Sequence, residues 1–417
     1  MFITIFVIYG GLQILAMITF RKFLKRKNFP KKWINWVSIT PFVLFSIPFI
    51  YIVVTGARLT DLPGWLYDGY IIPFYMFTAA IFFIGFYLLI GKILKLPFWL
   101  TEFILNRFQK TKQWLAGFKQ KKSVQKFDRS RRRFVTGAAA VASGYAFIGS
   151  GIAVLGKDDF EVTEREMKIK NLPAALKGTT LTLLCDVHSG PYMSEDVMRD
   201  YARAVNDVGS DIIVIPGDLT NSNISEAAPF ANAFRDLKAK HGVFGTLGNH
   251  DYFADADYVA DVVRNETPIQ LFRNESRILN INGEELCILG VDDVRRSNSE
   301  YDPEIMRYMD LTIADAKSKA SNYEELPKVM LYHKPYFLNE AAKRNVDLLL
   351  SGHTHGGQVV LFKFGNTNIS PAGTVSPYVS GLYTEGGTQM YVSRGLGVVG
   401  LPLRLNCPPE ITKITLV

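Results

Sequence analysis

The chain has 417 residues, 48% of them hydrophobic, and a formal net charge of +8. That charge divides into +17 over residues 1–156 and −9 over residues 157–417, and all six histidines lie in the second part. A nucleic-acid reader carries its basic surface on the folded domain, so an acidic second part argues against a nucleic-acid partner. The length allows more than one domain.

In chain order, residues 1–91 hold three apolar runs: Phe2–Phe20, Ser38–Val54 and Gly69–Ile90. Each is near the length of about 20 residues that a helix needs to cross a bilayer. Phe2–Phe20 lacks the basic start and small-residue cleavage site of a signal peptide, so it is expected to stay. Residues 92–133 form a basic segment expected in the cytoplasm; Phe98–Phe127 mixes aromatics with Lys and reads as an amphipathic helix on the inner membrane face. Residues 134–156 are a fourth, milder apolar run. Ser130, Arg131, Arg132 and Phe134 fit a twin-arginine export signal, and an ordinary fourth transmembrane helix is the alternative. Basic loops at 21–32 and 92–133, against the single Arg58 in the 55–69 loop, keep those two loops in the cytoplasm. On that count a multi-pass protein of the bacterial inner membrane turns residues 157–417 toward the periplasm or exterior.

The soluble part contains five short β-like runs that each finish in a metal-ligand type. TLTLLCDVHSG ends in Asp186-x-His188, DIIVIPGDLT in Gly217-Asp218, and GVFGTLGNHDYF in Gly248-Asn249-His250-Asp251. KVMLYHKP ends at His333, and DLLLSGHTHGGQ carries His353 and His355. Strands that each end in a polar turn build a site along one edge of a sheet. In an extended D-x-H or H-x-H the alternate side chains point the same way, so both could reach one centre. Asp218, in the middle of the set, is the natural bridge between two ions, and Asn249 supplies a neutral carbonyl oxygen. The mixture of His, Asp and Asn suits Mn, Fe or Zn better than Ca.

The series D-x-H, G-D, G-N-H-D, H, G-H-x-H resembles the calcineurin-like metallophosphoesterases over roughly residues 175–417. The apolar front end and the closing SRGLG (393–397) and PPEI (408–411) look like the bacterial transmembrane-anchored branch of that family. Cys185 stands before the first Asp where Ser is common. The resemblance implies a four-layer αββα sandwich of two mixed sheets over residues 157–417, preceded by about four transmembrane helices. It implies that Asp186, His188, Asp218 and His355 hold one divalent ion and that Asp218, Asn249, His333 and His353 hold a second. Hydroxide between the ions would attack a phosphate ester, mono- or diester, with a membrane lipid as one candidate substrate. His250, with Asp251 beside it, would stabilise the phosphoryl oxygens or protonate the leaving group. The alternatives are a UDP-2,3-diacylglucosamine pyrophosphatase-like hydrolase of lipid A synthesis, whose cytoplasmic substrate conflicts with the topology, and a non-catalytic scaffold, which would be expected to have lost ligands.

Three weaker features complete the reading. Arg295-Arg296 could grip a second phosphate. The apolar stretch 397–405 either packs in the core or dips toward lipid. Cys185 and Cys287 sit in strand-like runs as small buried thiols, and the pairing of Cys407 stays open.

Overall fold

The computed structural model of the chain describes residues 2–56, 59–294, 302–364, 367–374 and 376–417. Arg295 and Arg296 lie outside the described residues. The chain forms two compact units, Met1–Val154 and Leu155–Val417.

In the first unit, four helical segments among the described residues are long and apolar enough to cross a membrane: Val7–Arg26, Lys31–Thr55, Gly64–Leu105 and Lys122–Leu155. Their large side chains face outward, including Val54, Phe86 and Ile148. Such a display is costly in water and ordinary against lipid. Inside, Tyr9, Ala16, Phe42, Phe77 and Ile81 pack together. Helical structure does not stop where the basic residues begin. The third segment runs on through Lys92 and Lys95 to Leu105, and the fourth starts at Lys122, ahead of Arg131–Arg133. Lys and Arg are good helix formers, so a break in hydropathy is no break in helix.

The second unit contains two six-stranded mixed sheets. The first is built from β1 (Glu161–Met167), β2 (Thr180–Leu183), β3 (Ile212–Pro216), β4 (Val243–Thr246), β5 (Ile269–Leu271) and β14 (Glu410–Leu416), in the order β1-β14-β2-β3-β4-β5. Its β2, β3, β4 and β5 are parallel, as are β1 and β14, while β14 runs antiparallel to β2. The second sheet uses β6 (Glu275–Ile281), β7 (Glu284–Gly290), β8 (Lys328–Leu331), β9 (Leu348–Ser351), β12 (Gly381–Glu385) and β13 (Thr388–Val392), in the order β12-β13-β9-β8-β7-β6. A separate hairpin pairs β10 (Phe362–Phe364) with β11 (Thr367–Ile369).

Three buried clusters mark the four layers. Leu181, Val214, Phe244, Ile288, Leu331, Leu350 and Ile414 fill the space between the sheets. These strands are apolar on both faces, as parallel strands covered on both sides must be. Outside the first sheet, helices 195–208, 227–234 and 256–266 bury Tyr201, Phe230, Phe234 and Val259. Helix 195–208 shows why: Met198, Tyr201, Ala202 and Val205 recur at helical spacing, Ser194 caps its start, and left-handed Gly209 ends it. Outside the second sheet, helix 303–319 packs Ile305, Met309 and Ala316 against Leu289 and Met330. The expected αββα sandwich is the observed one.

Candidate metal centre

Each predicted site residue lies just past the end of a parallel strand. Asp186 and His188 follow β2, Asp218 follows β3, and Asn249, His250 and Asp251 open the 249–254 helix after β4. His333 follows β8, while His353 and His355 follow β9. Potential ligand atoms of Asp186, His188 and His355 lie within 4.8 Å of one another, as do those of Asp218, His333 and His353, and those of His188, Asp218 and His250.

The backbone differs from the extended geometry expected for D-x-H and H-x-H. Asp186, His188, Asp218, His353 and His355 all adopt left-handed φ, from 51° to 73°. Non-glycine residues there are strained, and such strain collects at functional sites. His353 and His355 fall in different groups of potential ligands, His355 with Asp186 and His188, and His353 with Asp218 and His333. Two glycines allow close approach from across the site. A Cβ on Gly248 would lie 2.5 Å from the Asp218 amide nitrogen, and one on Gly352 would lie 2.5 Å from Cys185 Sγ.

Asp218 is central. Its Oδ1 accepts the His250 backbone N–H at 2.9 Å, while Oδ2 stands 3.0 Å from His333 Nε2 and 3.4 Å from His188 Nε2. Asp186 accepts the His353 backbone N–H, at 2.9 Å to Oδ1, and Oδ1 is 3.6 Å from His355 Nε2. Both carboxylates are fully buried.

Three histidines are keyed in the same way. His333 Nδ1 faces the Pro216 carbonyl at 3.0 Å, His355 Nδ1 faces the Gly397 carbonyl at 3.2 Å, and His250 Nδ1 faces the Asn221 carbonyl. A carbonyl only accepts, so each Nδ1 carries the proton, and in the neutral ring each Nε2 presents a lone pair to the centre. His355 Nε2 meets His188 Nε2 at 3.0 Å, lone pair against ring nitrogen. The buried Asn249 Oδ1 finds no hydrogen-bond donor in the protein among the described residues, and His333 Nε2 faces the Asp218 carboxylate. Buried polar atoms without partners are costly, and inward Nε2 atoms fixed through Nδ1 are the usual arrangement of metal-bound histidines. Divalent cations fit this donor set.

The local field has the same sign. Burial would raise Asp218, yet the rings of His333, His250 and His188 hold it well below the usual carboxylate range. Burial would lower His333, but Asp218 and Asp186 push it up to about 10, so this pair draws positive charge to the Nε2 position. His188 and His353 are driven well below the usual imidazole value, first by burial and then by their neighbouring histidines. Burial also takes His355 down to about 4.

Asp251, expected as a catalytic partner of His250, has a different occupation. Its carboxylate accepts the N–H groups of Gly248 (2.9 Å), Leu219 (3.2 Å) and Thr220 (2.8 Å) and the Thr220 hydroxyl (2.9 Å). It therefore braces the loop after β3 against the helix that carries His250. Burial and the Asp218 charge push it up to about 6.

Sequence reasoning passed over several residues that support the centre. Asp292 and Asp293 form a sixth polar strand end, after β7. Asp292 accepts from Tyr252 Oη (3.0 Å) and Arg273 Nε (2.7 Å), and Asp293 pairs with buried Lys334 at 2.8 Å, next to His333. The pattern "apolar strand, then Asp" was the available signal. Arg404 is 4% exposed and donates to the carbonyls of Arg394, Gly395, Gly397 and Cys407. The stretch 397–405 packs inward: Val398 and Leu403 are buried, and Gln358 Nε2 donates to the Val399 carbonyl at 3.2 Å. All three cysteines are buried, and no disulfide joins them.

Residues 179–357 match the family model of calcineurin-like phosphoesterases. An uncharacterised metallophosphoesterase of Bacillus subtilis, YkuE, is 30% identical over 259 residues, covering 61% of this chain and 85% of that protein. One of Aquifex aeolicus is 32% identical over 242 residues, 58% of this chain and 86% of that one. A zebrafish transmembrane protein with a metallophosphoesterase domain is 30% identical over 262 residues, 61% of this chain. The alignment spans 57% of that relative's own length, and such relatives thus occur in animals as well as bacteria. The matched residues take in every strand end from Asp186 to His355, and the chain belongs to the calcineurin-like metallophosphoesterases.

Proposed function

We propose that the chain is a membrane-anchored, dimetal phosphoesterase whose catalytic unit works outside the cytoplasm. Asp186, His188, Asp218 and His355 hold one ion, and Asp218, Asn249, His333 and His353 hold the other, with Mn, Fe or Zn as the metals that suit the donors. The observation that carries this reading is Asp218 Oδ2, which stands between the Nε2 atoms of His333 and His188 at 3.0 and 3.4 Å. Bound divalent cations supply Lewis acidity toward the phosphoryl group and the attacking water.

The protein's own part is positioning and proton transfer. Asp251 holds the His250 helix to the loop after β3. His250 is half-buried and places its ring edge-on to His188, 4.6 Å between centroids. With Nδ1–H donated to Asn221, the imidazolium can release a proton only from Nε2, to the oxygen of the departing alcohol.

Placement outside the cytoplasm rests on charge: residues 107–133 carry eleven Lys or Arg and a single acid, Asp128. A twin-arginine route fits Ser130–Phe134. Tethering favours a phosphate ester presented by a membrane lipid.

The purified full chain should hydrolyse nitrophenyl phosphate esters with two bound metals per chain, and Asp218→Asn should lose both metals and turnover. Two metals and normal activity in Asp218→Asn would sink the assignment. Alkaline phosphatase fused after Lys157 should be active and fused within 110–126 inactive. The reverse pattern would place the unit in the cytoplasm.

A further inference from the structure

We propose that Glu226 is the positioning residue of His250, acting through a single peptide group. Glu226 is 3% exposed. Its Oε2 accepts three consecutive backbone N–H groups, from Asn221 (3.0 Å), Ser222 (2.7 Å) and Asn223 (2.9 Å). Asn223 opens the short helical turn at Ile224–Glu226, so a capping box explains the third of these bonds. It does not explain the first two.

The bond to Ser222 has the consequence. The N–H of Ser222 and the C=O of Asn221 belong to the same peptide group. In a trans peptide they point in opposite directions. Glu226 therefore holds one side of this peptide while His250 Nδ1–H donates to the other. The order is carboxylate, N–H, C=O, imidazole N–H. Hydrogen bonds in such a row polarise one another, and a convergent cluster of backbone N–H groups suits an anion. The loop has little freedom to turn: Asn221 N–H also reaches the Ser189 carbonyl at 3.0 Å, and the Ser189 hydroxyl donates to the Glu226 carbonyl at 2.8 Å. Glu226 thereby fixes the Nδ1–H tautomer of His250 and keeps Nε2 as the atom that gives up the proton.

The inference rests on the reading of His250 as the proton donor, and the experiment separates the two. Glu226→Ala, Glu226→Gln, His250→Asn and the double variant Glu226→Ala/His250→Asn are made in the full chain. Each is assayed on a glyceryl ester and a nitrophenyl ester of phosphate, with metal content measured alongside. General acid catalysis is worth about 10²–10⁴-fold for a poor leaving group and little for nitrophenolate. Glu226→Ala is expected to lower kcat on the glyceryl ester at least about tenfold, keep KM within about twofold, and leave the nitrophenyl ester within about threefold. Glu226→Gln, which keeps one acceptor oxygen and folds more conservatively, should fall between. Both variants should retain both metals, and the double variant should lose no more than His250→Asn alone.

Equal losses on both esters, or losses that multiply in the double variant, would make Glu226 a structural cap and overturn the inference. If His250→Asn itself shows no leaving-group dependence, the proton-donor reading falls instead. The positioning claim is then decided by ¹⁵N spectra of the histidines in metal-free protein. Wild type should show His250 as the Nδ1–H tautomer, and Glu226→Ala should show a mixture; an unchanged tautomer would refute the claim.

Discussion

Gly248→Ala tests the geometry of the centre with one methyl group. The Gly248 backbone, at φ −113° and ψ −179°, is open to any residue, so the substitution brings no torsional strain. It brings contact instead: the new Cβ would stand 2.5 Å from the Asp218 amide nitrogen and 2.9 Å from Asp218 Cγ. Ordinary contact begins at 3.4 Å, so the Asp218 segment must retreat by about 1 Å in an interior packed like a crystal. Overpacking of this kind costs about 1–3 kcal/mol. A 1 Å misplacement of a catalytic group costs on the order of 10²-fold in rate. The assay is kcat/KM on a nitrophenyl phosphate ester with metal content and thermal unfolding, beside Gly373→Ala as control, where the nearest atom to the new Cβ is 3.9 Å away. We expect a roughly 100-fold loss and depleted metal. Both metals and activity within threefold of wild type would refute the central place given to Asp218.

Lys334→Met strands the buried Asp293 carboxylate, whose Nζ partner lies at 2.8 Å; breaking such a pair costs about 3–5 kcal/mol, read as a fall in melting temperature of about 10 °C, and an unchanged melting point would contradict it. Glu410 reports on acid. Burial would raise its carboxyl, but the Arg394 guanidinium and the hydroxyls of Tyr391, Thr163 and Thr412 hold it below 4.5. Its contribution is complete above the unfolded value near 4.5 and is lost as pH falls through the lower folded value. Unfolding measured from pH 3 to 7 should show Glu410→Gln less stable at neutral pH and less sensitive to acid, and an unaltered acid slope would count against it. Arg404→Met leaves the Gly397 carbonyl with one donor fewer, and that carbonyl keys His355. Metal should be lost first from the Asp186, His188 and His355 set, and uniform loss from both sets would be the contrary result.

The strand ends were legible in the sequence because their pattern is local: an apolar run, a ligand type, then a turn. The four long apolar helices were legible for the same reason. The conformation within each turn was not, since nothing in the letters of Asp186, His188 or His355 announces a left-handed backbone; the packed surroundings impose it. Nor were the residues that key the histidines. Asn221 is 29 positions from His250, and Pro216 is 117 from His333, and both act through a carbonyl that every residue possesses. Nothing in the letters singles out Arg404 or Glu226 either, because their bonds go to backbone atoms. Sequence patterns expose chemistry carried by side chains and hide chemistry borrowed from the main chain.

The place of β14 between β1 and β2 has a consequence for the order in which the domain is made. Thr163, on β1, hydrogen-bonds to Glu410, 247 positions later, at 2.8 Å. Until residues 410–416 have been synthesised, β1 has no partner strand and one flank of β2 lies open. Contacts of such long sequence separation form slowly, and an unpaired strand edge invites association with other chains. The nascent protein must therefore hold two strands in reserve while the residues between β2 and β14 are synthesised. Its vulnerable interval ends only when β14 slides between them.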